Sequence, residues 1–299
     1  MPFARLAPRR PDAILLRLRG GLGNQLFQYA TGRAATWRLG CELLLDTSAY
    51  RGDPLRAFRL DALRISGRVA SSAETLFPVA SARLGRWIER AGLGRRWPIL
   101  EEVSAGFDPR VLAIQPPICL QGYWQSERYF SDCRELLLEE LQPRTPPPDS
   151  IRPLLDLASR AGSVAIHVRR GDYVSNPHAR AMHGTLSPEW YESAVATLRQ
   201  RVGSLGPILM FSDEPEWVQE HLPVAREATM ASTRDSADEI AELLLMSRCN
   251  HQIIANSSFS WWGAWLNPAP DRMVIAPARW FAREGVDDRD VVPGSWTRL

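Results

Sequence analysis

The chain has 299 residues, with 36 basic against 34 acidic side chains, a net charge of +2 and 45% apolar residues. At roughly 150 residues per domain this length suggests two domains. Balanced charge and ordinary apolar content exclude global disorder and a polybasic coat for nucleic acid. Every basic residue other than histidine is arginine, so lysine chemistry (a Schiff base, a Walker lysine, a catalytic ammonium) is also excluded.

Cys41, Cys119, Cys133 and Cys249 are scattered without a CxxC pair. They read as buried thiols rather than a disulfide frame or a zinc site. The longest apolar stretches, such as Ala13–Leu16 and Leu243–Met246, fall far short of the roughly 20 residues of a membrane span. Met1–Arg10 has no apolar signal core. The expectation is a soluble cytoplasmic protein.

In chain order, the apolar run Ala13–Leu18 predicts a strand, Gly20, Gly21 and Gly23 a turn, and Gln25–Leu39 a helix closed by Gly40. Glu42–Leu45 predicts a second strand ending at Asp46, which completes a β–α–β opening. Ser81–Ala91 reads as a helix, Ile118–Gln121 as a strand, and Leu136–Leu141 as the end of a helix that begins near Glu127. Four of the nine residues Gln142–Ser150 are proline, which excludes a helix interior or a central strand and marks a linker. The second half predicts strands at Val164–Val168, Ile208–Phe211, Gln252–Ala255 and Met273–Ile275. Helices are expected at Pro188–Arg201, Asp238–Ser247 and Ser258–Leu266. Such alternation argues for parallel sheets covered on both faces, with ligand loops at the carboxyl ends of the strands.

Four segments can carry chemistry. Gly20-Gly21-Leu22-Gly23-Asn24-Gln25 joins a strand to a helix, where backbone can approach a ligand closely. It resembles a dinucleotide fingerprint, with Asp46 as the ribose acid, but Leu26 stands where a third glycine belongs. His167-Val168-Arg169-Arg170-Gly171-Asp172-Tyr173 puts two arginines at a strand end, a pair suited to a diphosphate or to a structural ion pair with Asp172. Phe211-Ser212-Asp213-Glu214 fits either a helix cap or an aspartate that binds a ribose or base. Asn256-Ser257-Ser258-Phe259-Ser260-Trp261-Trp262 leads into a helix whose free N–H groups suit a phosphate. Trp261 and Trp265 share one helix face and read as core. His178 and His183 read as solvated loop residues, and Asp288-Arg289-Asp290 as a solvated acidic turn rather than a metal–diphosphate site. No HExxH, CxxC, His cluster or GxSxG is present.

Two arginines, a helix N-terminus and no metal motif suit a nucleotide-sugar transferase, in which fixed donors stabilise the leaving diphosphate. GGLGNQLFQYA (Gly20–Ala30), GYWQSERYF (Gly122–Phe130), HVRRGDYV (His167–Val174), FSDE (Phe211–Glu214), ANSSFSWWGAWL (Ala255–Leu266) and Pro277–Trp280 resemble, in order, the motifs of the bacterial α-1,2-fucosyltransferases of glycosyltransferase family 11. The resemblance implies an α/β, GT-B-like fold: two Rossmann-like domains with parallel sheets facing across a cleft. It assigns residues 1–141 to the acceptor side, 142–150 to the linker and 151–285 to GDP-fucose. A tail, 286–299, could pack back on the N-terminal domain.

The resemblance further implies inverting transfer of fucose from GDP-fucose to the 2-hydroxyl of a terminal galactose, with no metal or other cofactor. Arg169 would hold the β-phosphate, beside His167 and Arg170, and Asn256, Ser257, Ser258, Phe259 and Ser260 would cradle the diphosphate. Asp213 would lie near the ribose or guanine. Gly21, Gly23, Asn24 and Gln25 would face the reacting centre. Asp172, Glu189, Asp213 and His167 all stay open as the general base. The implied partners are GDP-fucose and a galactose-terminated glycan, without nucleic acid. The arginine-rich stretch Arg83–Arg96 reads as a solvated helix face or a peripheral contact with anionic lipid. A dinucleotide-dependent oxidoreductase and a non-catalytic glycan-binding protein are the alternatives.

Overall fold

A computed structural model describes residues 12–75, 97–232 and 238–299. The helix expected at Ser81–Ala91 and the stretch Arg83–Arg96 lie outside the described residues.

In the first half, β1 (Ala13–Arg17) and β2 (Glu42–Asp46) flank helix α1 (Leu22–Leu39), followed by β3 (Arg68–Val69), β4 (Ile99–Glu101), β5 (Ile118–Gln121) and α2 (Arg134–Glu140). After the proline-rich segment come α3 (Arg152–Ala158), β6 (Val164–Val168), α4 (Gly171–Ser175), α5 (Pro177–His183), α6 (Pro188–Val202) and β7 (Ile208–Ser212). The chain then forms α7 (Pro215–His221), β8 (Ala228–Met230), α8 (Glu239–Arg248), β9 (His251–Ile253), α9 (Ser258–Trp265), β10 (Val274–Ala276) and β11 (Thr297–Arg298).

The first sheet has the order β3-β2-β1-β5-β4 and the second β11-β10-β9-β6-β7-β8. Every pairing is parallel, for example Leu15 with Leu44 and Cys119, and Ala165 with Leu209 and Gln252. Central strands of parallel sheets are covered on both faces and therefore read as unbroken apolar runs. All five residues of β6 and of β7 are buried. In each sheet the chain crosses once from one side to the other, and the two runs of strands meet at β1 beside β5 and at β6 beside β9. Ligand crevices open at such switch points, beyond the carboxyl ends of the strands.

Helix α1 is buried around most of its circumference and ends at Gly40, whose φ of 63° is the left-handed conformation glycine adopts without penalty. It packs on β1 and β2 behind and on α9 in front. One hydrophobic core runs through both halves, from Leu16 and Phe27 to Trp261, Trp262 and Val274. The Phe27 ring lies 4.4 Å from Trp261 and 5.2 Å from Trp262, and Phe130 stacks on Trp262 at 5.4 Å. Arg134 lies 4.3 Å over Trp265 and donates to its carbonyl.

The span read as one helix from near Glu127 instead breaks into the 3-10 turns Glu127–Tyr129 and Ser131–Cys133 before α2. Phe130, with φ −143° and ψ 11°, lies outside helical geometry and makes the break. The proline segment crosses between the halves anchored rather than free: Arg144 N–H donates to Ala62 O, and Arg64 N–H to Gln142 O. The tail touches both halves. Its end forms β11 beside β10, while Asp290 accepts from Phe107 N–H and pairs with Arg128. The four cysteines are free thiols, three of them buried. Among the described residues no helix is long and apolar enough to cross a membrane.

Candidate active site

A cavity of about 850 Å³ lies where the two switch points face each other. Its walls come from the loops after β1 and β5 on one side (Gly20–Asn24, Tyr123, Gln125) and after β6, β7 and β9 on the other (Arg169, Asp172, Asp213, Asn256–Phe259).

The loop after β6 carries the charge. Arg169 Nη1 lies 3.0 Å from Asp213 Oδ2, and its Nη2 donates to Asp172 Oδ1 at 2.6 Å. Burial disfavours the Arg169 charge, but the two carboxylates outweigh it and push its pKa up, so the guanidinium is permanently charged. Asp213 is locked from behind. Its Oδ1 accepts from Arg170 N–H at 3.0 Å, and its Oδ2 would lie 2.4 Å from any Cβ at Gly171. Only glycine at 171 lets the β6 loop and that carboxylate come so close. His167, one residue inside β6, is 6% exposed, and its Nδ1 has no hydrogen-bond partner. Burial and then the Arg169 charge lower its pKa to about 3, so the imidazole is neutral at physiological pH.

Two helix N-termini meet at the cavity floor. Gly21 caps α1 and Ser257 caps α9, and neither helix has a side-chain hydrogen bond to its first-turn amides. Those N–H groups and the positive dipole end are available to an anion. The termini abut through Gly23, where a Cβ would lie 2.5 Å from Phe259 N. Asn256 is 3% exposed, and its amide donates to the His183 and Trp280 carbonyls while its Oδ1 has no partner.

Of the residues singled out from the sequence, Gly21, Gly23, Asn24, His167, Arg169, Asp172, Asp213, Asn256, Ser257, Ser258 and Phe259 line this one cavity. Gln25, Arg170 and Ser260 do not. Gln25 is a buried clip, donating to Gly20 O and Ala57 O and accepting from Arg59 N–H. Arg170 turns to Glu214, 2.9 Å away, and lies 3.7 Å over Trp217. Ser260 donates to Ser257 O inside α9. Each holds a loop whose other face lines the cavity. Glu189 sits exposed on α6, away from the cavity. Asp46, the last residue of β2, binds Ser48 N–H, lies 3.5 Å from Arg17 and is also outside the cavity.

Two expectations about solvated groups are corrected. His183 is half-buried, lines the cavity and stacks on Tyr173 at 4.6 Å. Asp288 accepts from Trp280 N–H and Asp290 from Phe107 N–H, so that acidic turn fastens the tail. Sequence reasoning missed Arg56, Glu102 and Glu239, which line the cavity without belonging to any motif. Tyr123 and Gln125 lay inside the Gly122–Phe130 block but carried no assigned role. Gln125 donates to Asn24 Oδ1 at 2.8 Å, and both amides of Tyr123 and Trp124 donate to Glu102 at 2.7 Å.

Residues 109–299 match glycosyl transferase family 11. An Escherichia coli alpha-1,2-colitosyltransferase is 34% identical over 297 residues, covering 96% of this chain and 98% of that protein. The chain belongs to glycosyl transferase family 11. The Escherichia coli O-antigen biosynthesis glycosyltransferase WbnK is 30% identical, covering 94% of this chain and 99% of its own length. The apo-form crystal structure of POFUT1 aligns with a TM-score of 0.51 at 12% identity, over 91% of this chain and 99% of that one. That likeness concerns the fold, which is GT-B-like: two parallel α/β sheets with the cleft between them. As a member of family 11 the protein is a glycosyltransferase, and the Arg169 loop and the α9 N-terminus form the charged wall of its cleft.

Proposed function

We propose that the protein transfers L-fucose from GDP-fucose to the 2-hydroxyl of a terminal galactose, with inversion and without a metal or other cofactor. The setting would be O-antigen or surface-glycan synthesis on the cytoplasmic side of the membrane. One observation carries this reading: Arg169, held between Asp172 and Asp213, lines the same wall as the uncapped N-terminus of α9 at the β6/β9 switch point. A nucleoside diphosphate needs that combination of a fixed guanidinium and free amides.

The chemistry follows from the placement. As the bond from the sugar anomeric carbon to the β-phosphate oxygen breaks, charge grows on the diphosphate, and Arg169 and the α9 amides are already oriented to receive it. The anomeric carbon becomes oxocarbenium-like, and the acceptor hydroxyl forms the new bond from the opposite face. Its proton goes to a carboxylate at the cavity wall. Of the four candidate bases, His167 is too weakly basic, Glu189 lies outside the cavity and Asp213 is immobilised. Of the four, Asp172 remains as our choice: it lines the cavity, held by part-exposed ion pairs that the diphosphate would take over.

The two Escherichia coli relatives support an α-1,2 bond and an O-antigen setting. The colitosyltransferase sets colitosyl beside fucosyl as a candidate sugar. The deciding experiment incubates the purified protein with lactose and excess EDTA, and with GDP-fucose or the corresponding colitosyl donor in parallel tubes. Mass spectrometry follows the trisaccharide, and a coupled assay follows released GDP. A fucosylated product despite EDTA is expected. Turnover of the colitosyl donor alone would overturn the sugar assignment, and loss of turnover in EDTA would overturn metal independence.

A further inference from the structure

The β2–β3 loop of the N-terminal half places a second arginine in the cavity wall. Asp53 Oδ1 accepts from the Leu55 and Arg56 amides at 2.8 and 3.1 Å, which turns the chain so that Arg56 projects inward. Gln25 fixes the next turn by binding Ala57 O and Arg59 N–H. Arg56 Nη1 then lies 3.3 Å from where a Cβ of Gly21 would be, directly over the N-terminus of α1.

Arg56 and Arg169 are the cationic side chains among the described residues that line the cavity. They come from opposite halves of the molecule, yet both grip Asp172. Its Oδ1 accepts from Arg169 at 2.6 Å and its Oδ2 from Arg56 at 3.3 Å. A carboxylate held by two guanidiniums places anionic acceptor oxygens where those of a phosphoryl group could bind the same donors. All three side chains are part-exposed, 39% for Arg56, 37% for Asp172 and 25% for Arg169. Such a pair is weakly held. Exchanging Asp172 for a phosphate therefore costs little and leaves both cations paired.

We propose that Arg56 is a second diphosphate-binding arginine, brought to the nucleotide-sugar from the half of the molecule opposite Arg169. This inference rests on the nucleoside-diphosphate reading of the cavity. It adds that the leaving group is shared between the halves: Arg169 and the α9 amides hold it from one side, and Arg56 above the α1 amides from the other. Binding of the diphosphate also frees Asp172 from both guanidiniums and turns it toward the acceptor.

Calorimetric titration of the wild type, R56A and R56K with GDP and, separately, with GMP tests the proposal. GDP carries the distal phosphate that Arg56 reaches and GMP does not. In R56A, GDP affinity is expected to fall about tenfold or more, the loss of a charge-assisted hydrogen bond, while GMP affinity stays within about twofold. R56K, which keeps the charge and loses the forked geometry, is expected to recover part of the GDP affinity. Unchanged GDP affinity in R56A overturns the proposal. So does an equal loss for GDP and GMP, because that is the signature of a distorted loop. A wild type that binds neither nucleotide would overturn the nucleotide-sugar reading itself, a result visible before any variant is made.

Discussion

Helices α1 and α9 enter the cavity alike, each following a buried strand at a switch point, each without a capping side chain, their first turns in contact at Gly23. The chemistry around them differs. The turn into α1 is glycine and backbone, with neutral Asn24 and Gln125 bonded together beside it. Around α9 the wall bears Arg169, Asp172, Asp213 and the neutral His167. The same architecture thus presents backbone and amides on one side and fixed charge on the other. A charged leaving group belongs on the second wall and a neutral sugar acceptor on the first. Glu102, held by the Tyr123 and Trp124 amides, and Arg56 are the exceptions on the first wall, and Arg56, reaching Asp172, ties the two walls together.

The sharpest way to break this contrast is to remove the charge. Arg169→Ala is expected to lower turnover by about two to three orders of magnitude, as for loss of a preorganised donor to a developing anion. Thermal stability should change little, because the part-exposed ion pairs it forms contribute little. Steady-state kinetics beside a melting curve checks both. Near-normal turnover would move the leaving group away from this wall.

The next effect tests whether the two helix N-termini must touch. Gly23→Ala places a methyl 2.5 Å from the backbone nitrogen of Phe259, an atom that cannot swing aside. Overpacking of this kind costs about 1–3 kcal/mol, against which alanine regains only about 1 kcal/mol of helix propensity. A lowered melting temperature together with weakened GDP binding is expected, since the helices can relieve the clash only by separating the amides they share. A variant as stable as the wild type that binds GDP normally would show that the contact is dispensable.

Much of this site was legible because short motifs sit at strand ends, and strand ends are where parallel sheets build clefts. β5 and β6 match the predicted Ile118–Gln121 and Val164–Val168 because continuous apolar runs bounded by polar residues have few other solutions. Helix α1 begins at Leu22 rather than Gln25, because Gly21 already has the extended geometry of an N-cap. The segment after Glu127 was misread for a tertiary reason. Its periodicity suits a helix, but Phe130 is drawn out of helical geometry as its ring stacks on Trp262 from the other half. β3, β8 and β11 have only two or three residues each, too few for any period to show.

The site residues divide the same way. Arg169 and Ser257 could be read locally, whereas Arg56 and Glu102 enter the cavity only because distant loops converge there. Conversely, Gln25, Arg170 and Ser260 sit inside motifs yet face away, because a contiguous motif includes the residues that hold a loop as well as those it displays.

The last expected effect, visible only below neutral pH, concerns the neutral member of the charged wall. His167 is buried beside Arg169, and its pKa falls from about 6.5 in an unfolded chain to about 3 in the fold. Between those values the unfolded chain takes up a proton that the folded protein refuses, so the unfolded state binds more protons. Stability is therefore fully retained above about pH 6.5 and is lost as pH falls toward 3, with a slope approaching about 1.4 kcal/mol per pH unit. Carboxylates titrate in the same range, so the measurement is the difference between wild type and His167→Gln in urea unfolding from pH 7 to pH 4. The wild type is expected to lose more stability than the variant over that interval. Parallel losses would mean that His167 takes up its proton in the fold as readily as in the unfolded chain, which would make it a second cation on this wall at low pH and erase the distinction between the neutral imidazole and its charged neighbours.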